Sequence, residues 1–408
     1  MDAELVRVDP PHTFPALTSS SSKARHISAS NSNSANQALP ETTFPLAMPS
    51  NPSPNSESDP PPPGLSILHS LDLEEIDPTV FRSVADSLWI PAGARGAFGG
   101  QVIGQALNAA TKTVGSGAEG KRWGLHSQHC YFLLPVVASD PIIYRVEKLR
   151  DVMLTLWGAG RSYVTRQVTA TQKGIPVFIL SCSFTLPPPV TAPQPSFSVP
   201  MPLNVPGPEE CEAEEDKWER VLRERKEAGR EVKGDALRGL MAYIRERKES
   251  PIALKEIPRT ARMKFPTIAG QQLDEADERA MQVHERMLWM RTRDQTVAGE
   301  ESNMQKCILA YISDFQFVGS AAQSVGLSHT SSPRLGMLAS LDHVVYWYST
   351  TFKTSDWLLH VITAPRTGDG RGVVEGKFYT QEGELIAVTV QEGVVRAAPQ
   401  SDKDRAKL

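Results

Sequence analysis

No run of apolar residues in this 408-residue sequence approaches the roughly 18 to 20 that a membrane-spanning helix needs, so that architecture is excluded. Cysteine is scarce: Cys130, Cys182, Cys211 and Cys307 are scattered, with no CxxC and no histidine partner at zinc spacing. A disulfide scaffold and a zinc module are poor readings, and a reducing compartment fits. Neither charge sign dominates. Against 43 Lys and Arg stand 47 Asp and Glu, a net charge of −4, which rules out nucleic-acid binding driven by bulk charge. There is no GxSxG elbow to support an α/β-hydrolase triad, and Gly368-Asp369-Gly370-Arg371-Gly372 reads as a turn, not a phosphate loop. No apolar segment follows Met1 as in a secretory signal, and Asp2, Glu4 and Asp9 argue against a mitochondrial presequence.

Proline, by contrast, is abundant and unevenly placed. Twelve of the 32 prolines fall in residues 1–63, together with twelve serines. Such a segment buries too little apolar surface to offset its ordering entropy, and disorder is expected there. Nine prolines within residues 187–208 mark an extended linker. Charged helix formers follow over 209–250, for example Trp218-Glu219-Arg220-Val221-Leu222-Arg223, and read as a solvated helix.

Between and beyond these segments the pattern is globular. Gly96 to Ala110 carries small residues at helical spacing, with Val102, Ala106, Ala109 and Ala110 on one side. Propensity alone disfavours a helix this rich in glycine, so another backbone, such as a curved sheet, is expected to approach it closely. Strands are expected over Leu125–Leu134, Ile142–Leu149, Tyr163–Thr171 and Pro176–Leu186. The chain also repeats itself. Thr171-Gln172-Lys173-Gly174 and Thr380-Gln381-Glu382-Gly383 are both TQxG hairpin turns between strands, and Leu125 to Phe132 resembles Ala339 to Tyr346. Two related α+β halves in one chain suggest a fused dimer with its sheets joined edge to edge.

At this level of detail the sequence resembles the acyl-CoA thioesterase II family, of the peroxisomal type. The resemblance rests on Phe98-Gly99-Gly100-Gln101-Val102-Ile103-Gly104-Gln105, His126-Ser127-Gln128-His129-Cys130-Tyr131-Phe132 and Pro141 to Glu147 in the first half. In the second half it rests on Tyr311-Ile312-Ser313-Asp314, Ala339-Ser340-Leu341-Asp342-His343, Phe378 to Gly383 and Val390-Gln391-Glu392-Gly393. It implies an α+β double hot-dog fold: two curled antiparallel sheets, each wrapped around a helix, joined edge to edge. The boundaries so expected are a disordered segment over 1–63, an N-terminal half over 64–186 and a linker with a charged helical insert over 187–282. A C-terminal half over 283–398 carries the catalytic residues, and a polar tail over 399–408 ends in Ala406-Lys407-Leu408, a variant of the SKL peroxisomal address. One departure is the apolar stretch Val152 to Ala159, which the family pattern lacks; it puts the neighbouring hairpin in doubt and not the site.

The resemblance further implies hydrolysis of coenzyme A thioesters by an Asp, a Ser or Thr, and a Gln that together hold a water. Residue by residue these fall on Asp314, Ser340 and Gln391. The chemistry suits the residue types: a carboxylate takes the proton of a poorly nucleophilic water, while a hydroxyl and a carboxamide fix that water's remaining hydrogen-bond directions. Backbone N–H groups at a helix N-terminus would receive the oxyanion. Taken singly, Asp314 could cap a helix, Ser340 could bond to backbone and Gln391 could be an exposed polar residue late in a strand.

Other candidates are weaker. Cys130 and Cys182 read as small buried hydrophobes. His126 and His129 read as structural and facing one side of a strand, and adjacent Asp342 and His343 point to opposite faces and make a poor dyad. The expected partners are a fatty acyl-CoA substrate and a peroxisomal import receptor. No metal or redox cofactor is expected, since coenzyme A is part of the substrate. Edge strands of a fused pair often associate further, so a homo-oligomer is compatible. A non-hydrolytic acyl-CoA binding module on the same fold is the alternative, and a hot-dog hydratase is a third reading.

Overall fold

The computed structural model describes residues 66–115, 122–151, 163–187, 195–257, 284–328, 331 and 333–399. The expectations for 1–63, for the stretch 152–159 and for Ala406-Lys407-Leu408 lie outside these residues.

In the N-terminal half a short helix α1 (Ile67–Leu71) precedes strands β1 (Leu73–Asp77) and β2 (Val80–Ser83). Helix α2 (Gly99–Lys112) follows, then β3 (Gly124–Phe132), β4 (Ile143–Arg150), β5 (Tyr163–Gln172) and β6 (Ile175–Thr185). The flank comprises α3 (Glu214–Glu227) and α4 (Gly234–Glu249). The C-terminal half holds β7 (Ile252–Glu256), β8 (His284–Thr292), α5 (Ser302–Ser313), α6 (Gly319–Ser324), β9 (Leu335–Ser340), β10 (Asp342–Trp347), β11 (Leu358–Gly368), β12 (Arg371–Tyr379) and β13 (Leu385–Ala397).

Both halves lay their strands out in the same way. The sheet runs β1-β2-β4-β5-β6-β3 in the first half and continues β10-β13-β12-β11-β8-β7 in the second, with β9 pairing β13. The seam is the antiparallel pair β3–β10, where Cys130 lies opposite His343 and Gln128 opposite Val345. The two TQxG turns occupy corresponding places, closing β5 onto β6 and β12 onto β13. β7 pairs with β8 from Ile252–Thr292 to Glu256–Leu288 and completes the second sheet. The C-terminal half thus starts well before 283, because an edge strand lies inside what reads in sequence as insert.

The glycine-rich helix is explained by its neighbour, and that neighbour is a helix. A Cβ on Gly100 would stand 2.4 Å from the carbonyl oxygen of Tyr311, and one on Gly104 3.2 Å from that of Cys307. The helices α2 and α5 therefore run antiparallel with their backbones nearly touching at these points. Gly100 to Ala110 are buried without exception, so α2 is a central helix, enclosed on every side. One continuous apolar core surrounds α2 and α5 across both halves.

The charged flank is more than a solvated surface. Glu214, Glu215 and Arg247 are buried, and Arg293 bonds Glu215 at 2.7 Å. Buried charges are costly unless paired and hydrogen-bonded, which locates the docking face of α3 and α4.

Candidate active site

Asp314 is the C-cap residue of α5, the end of a helix that its type does not favour, and it lies against the first turn of α2 from the other half. Ser340 ends β9 and is paired with Gly393 of β13. Gln391 lies on β13 and is fully buried. These residues, distant in sequence, meet through one carboxamide. Gln391 Nε2 donates to Asp314 Oδ1 at 2.7 Å and to Ser340 Oγ at 2.9 Å. An NH₂ group has two hydrogens, so both are spent on these partners. The carboxamide thus ties the acid to the alcohol, whereas the family resemblance implies that it holds the water directly.

The N-terminal half contributes the fourth wall. The backbone N–H of Gly100 donates to the Asp314 carboxylate. A Cβ on Gly99 would stand 2.8 Å from Asp314 Oδ2 and 3.0 Å from the Phe132 ring, so only glycine leaves room for the carboxylate there. The carboxylate consequently sits between two helix ends. The C-terminus of α5 disfavours its charge, and the N-terminus of α2 favours it. Burial is the largest influence and pushes its pKa up to about 6, against the hydrogen bonds from Gln391 and Gly100. Such an acid is ionised near neutral pH yet basic enough to take a proton.

An aromatic cluster walls off this helix entrance. Phe98, the N-cap of α2, meets Tyr311 edge-on at 5.0 Å and Phe315 at 4.6 Å, and Trp89 stacks on Phe315 at 6.0 Å. Behind it the charged flank holds the turn that follows Asp314. Gln316 has a left-handed φ of 54°, uncommon for a residue other than glycine. It is pinned by Arg286 to its Oε1 at 2.6 Å, and its Nε2 donates to Glu214 at 2.7 Å and Tyr243 at 2.9 Å. Arg286 is in turn paired with Glu256 of β7 at 3.0 Å. Nothing local in the sequence around Gln316 announces these contacts, whose partners lie 30 to 102 residues away.

The remaining sequence candidates stand apart from the carboxylate chemistry. Cys130 and Cys182 are buried, and burial raises both thiol pKa values. Asp342 accepts from the Glu392 N–H at 2.6 Å while His343 turns to the interior and meets Ser313 Oγ at 2.9 Å, so the adjacent pair is no dyad. The β3–β6 register shifts between Leu125 and Ser127, which makes His126 a bulge residue. His126 packs edge-on to Tyr163, and His129 edge-on to Tyr346.

Residues 86–185 match the family described as acyl-CoA thioesterase N-terminal domain, and residues 247–395 match the acyl-CoA thioesterase C-terminal domain. The chain belongs to the acyl-CoA thioesterase II family. It is 31% identical over 346 residues to human acyl-coenzyme A thioesterase 8, covering 82% of this chain and 90% of that protein. It is 30% identical to acyl-CoA thioesterase 2 of Haemophilus influenzae, covering 81% of this chain and 97% of that one. Among solved structures, acyl-CoA thioesterase II TesB2 of Mycobacterium marinum superposes with a TM-score of 0.56 at 27% identity, over 82% of this chain and 99% of that one. As a member of this family the chain is a hydrolase, and its two-half sheet is the double hot-dog arrangement. The C-terminal match begins at 247, in agreement with the place of β7 in the second sheet.

Proposed function

We propose that this protein hydrolyses fatty acyl-CoA to free fatty acid and coenzyme A, with a water activated by Asp314, Ser340 and Gln391. The observation that carries the reading is the convergence on Gln391 Nε2 of a buried carboxylate and a hydroxyl from two further elements. Since Ser340 Oγ accepts from Gln391, its own O–H is left to donate to the water. The ionised Asp314 accepts one water hydrogen, and the water's second lone pair attacks the thioester carbonyl. The oxyanion is received at the first turn of α2, where Gly100 N–H is engaged by Asp314 and Gly99 N–H is the adjacent donor. Collapse expels the coenzyme A thiolate, which takes the proton from Asp314 and resets the carboxylate. Side chains, backbone and water carry every step, and no cofactor enters.

The test is release of free thiol from palmitoyl-CoA by the purified full chain, read with a thiol-reactive dye. Wild type is expected to turn over, and Asp314→Asn to lose about 10²–10⁴-fold in kcat/KM. Full activity in Asp314→Asn overturns the base assignment. Thioester binding without thiol release would favour the non-hydrolytic module. Peroxisomal location through Ala406-Lys407-Leu408 and its import receptor is a separate part of the proposal. A fluorescent fusion ending in these residues should be imported, and one lacking Leu408 should remain in the cytosol.

A further inference from the structure

Behind the candidate site, the interior of the C-terminal half holds polar atoms that lack partners in the protein. Among the described residues these include His343 Nδ1, both ring nitrogens of His360, Thr389 Oγ1 and Gln391 Oε1. His343, His360, Thr389 and Gln391 are each fully buried. Groups buried in this way are normally hydrogen-bonded, to protein or to ordered water.

The four residues form one neighbourhood. Thr389 and Gln391 are two apart on β13 and so share a face. The register Val344–Val390 sets His343 across from Gln391 on the adjoining strand. The ring of Phe317 packs against both histidines, 5.6 Å from His343 and 5.1 Å from His360. A Cβ on Gly376 would lie 2.3 Å from His360 Nε2 and 2.3 Å from Thr389 Oγ1, so these two atoms are no farther apart than twice that distance. A single bridging water spans such a gap.

The donor count decides what must fill it. Ser313 Oγ donates its one hydrogen to the Ala310 carbonyl at 2.8 Å. It therefore accepts from His343 Nε2, which carries that ring's proton. Burial holds His343 neutral, so its Nδ1 is a bare acceptor. Gln391 Oε1 is another acceptor, since its Nε2 faces Asp314 and Ser340. Thr389 and neutral His360 bring one hydrogen each but also acceptor atoms of their own. Acceptors outnumber donors, and water supplies two hydrogens per molecule.

We propose that His343, His360, Thr389 and Gln391 enclose a buried water-binding site, and that Thr389 and His360 are positioning residues that hold the Gln391 carboxamide through it. A water hydrogen on Oε1 keeps the oxygen inward and the NH₂ on Asp314 and Ser340. The flipped amide would set its oxygen against a carboxylate. Gly376 is required because a Cβ there would collide with His360 Nε2 and Thr389 Oγ1 themselves and push the two apart. The role of Gln391 in this inference rests on the water-activation reading above.

A high-resolution crystal structure of the full chain tests the site directly. Solvent density within hydrogen-bond distance of Thr389 Oγ1 and a ring nitrogen of His360 is expected, and a dry interior overturns the proposal. In kinetics, Thr389→Val, which is isosteric, should lower kcat about tenfold with KM unchanged, and Thr389→Ser should recover most of the rate. Unchanged kcat in Thr389→Val, or a loss that Thr389→Ser shares, overturns the positioning role. Failure of the water-activation reading would appear separately, as an active Asp314→Asn, and the solvent density would still decide the water site by itself.

Discussion

The two halves share a strand order and a central helix, yet only one carries the Asp, Ser and Gln of the proposed site. The C-cap of α5 is Asp314, and the C-cap of α2 is Thr113. Gln391 stands eight residues beyond the glycine of its TQxG turn, and Cys182 stands eight beyond the glycine of the other. Ser340 aligns with His126, the bulge residue of β3. Where the second half has a carboxylate the first has a cation: buried Arg166 donates from Nε to Thr113 Oγ1 at 3.0 Å and pairs with Asp151 at 2.6 Å. On the proposed mechanism the fold alone does not make a hydrolytic site; it takes a carboxylate facing a helix N-terminus, with a carboxamide to hold it. The N-terminal half serves the other's site by lending the first turn of α2.

That contrast can be broken by transplantation. Placing Thr113→Asp in an Asp314→Asn background should leave kcat/KM down by about 10²–10⁴-fold, because Cys182 stands where a carboxamide is needed and the Arg166 guanidinium would pair with the new acid. Recovery of the rate in thiol-release assays would make the halves equivalent. Next in size is Gln391→Leu, which removes the tie between acid and alcohol and should cost roughly 10²-fold in kcat, while Cys182→Ser in the matching position should leave the rate within about twofold.

The pH dependence sharpens the same comparison. With its pKa near 6, Asp314 should produce an acid limb in kcat/KM, falling about tenfold per unit below that value. The stability sign is opposite to that of an ion-paired acid. A folded pKa of about 6, raised from 3.8, means that protonation favours the fold, so its contribution is present below about pH 4 and lost as pH rises through 6. Asp314→Asn should accordingly unfold at higher temperature than wild type at pH 7.5, by calorimetry. A further structural contrast concerns the flank, whose buried ion pairs join the second half, while Glu246 accepts from the Ala92 N–H of the first. Arg286→Ala leaves Glu256 with Lys217 as its remaining cation and Gln316 Oε1 without its donor, and should cost about 3 kcal/mol in denaturant unfolding.

Much of this is readable in sequence because it is local. The TQxG turns, the alternation of β5 and β6 and the small-residue run of α2 each occupy a dozen residues or fewer, and three motifs locate Asp314, Ser340 and Gln391. What sequence does not reveal is long-range. β7 is five residues inside a charged segment, and it declares itself only by pairing with β8 across residues 257–283. The closeness of α2 to Tyr311 O depends on how two helices cross, which spacing within one helix does not encode. The buried face of α3 and α4 is masked because Glu214 and Arg247 are the same residue types that a solvated face would carry.

The central claim concerns the identity of the attacking atom, and single-turnover hydrolysis in ¹⁸O-labelled water addresses it most directly. With enzyme in excess over acyl-CoA, the fatty acid formed in the first turnover should carry one ¹⁸O, as direct attack by a water held by Asp314 and Ser340, themselves tied together by Gln391, requires. A first-turnover product containing only ¹⁶O, with the label appearing in the Asp314 carboxylate, would mean that this side chain attacks the thioester itself, and the water mechanism would be contradicted.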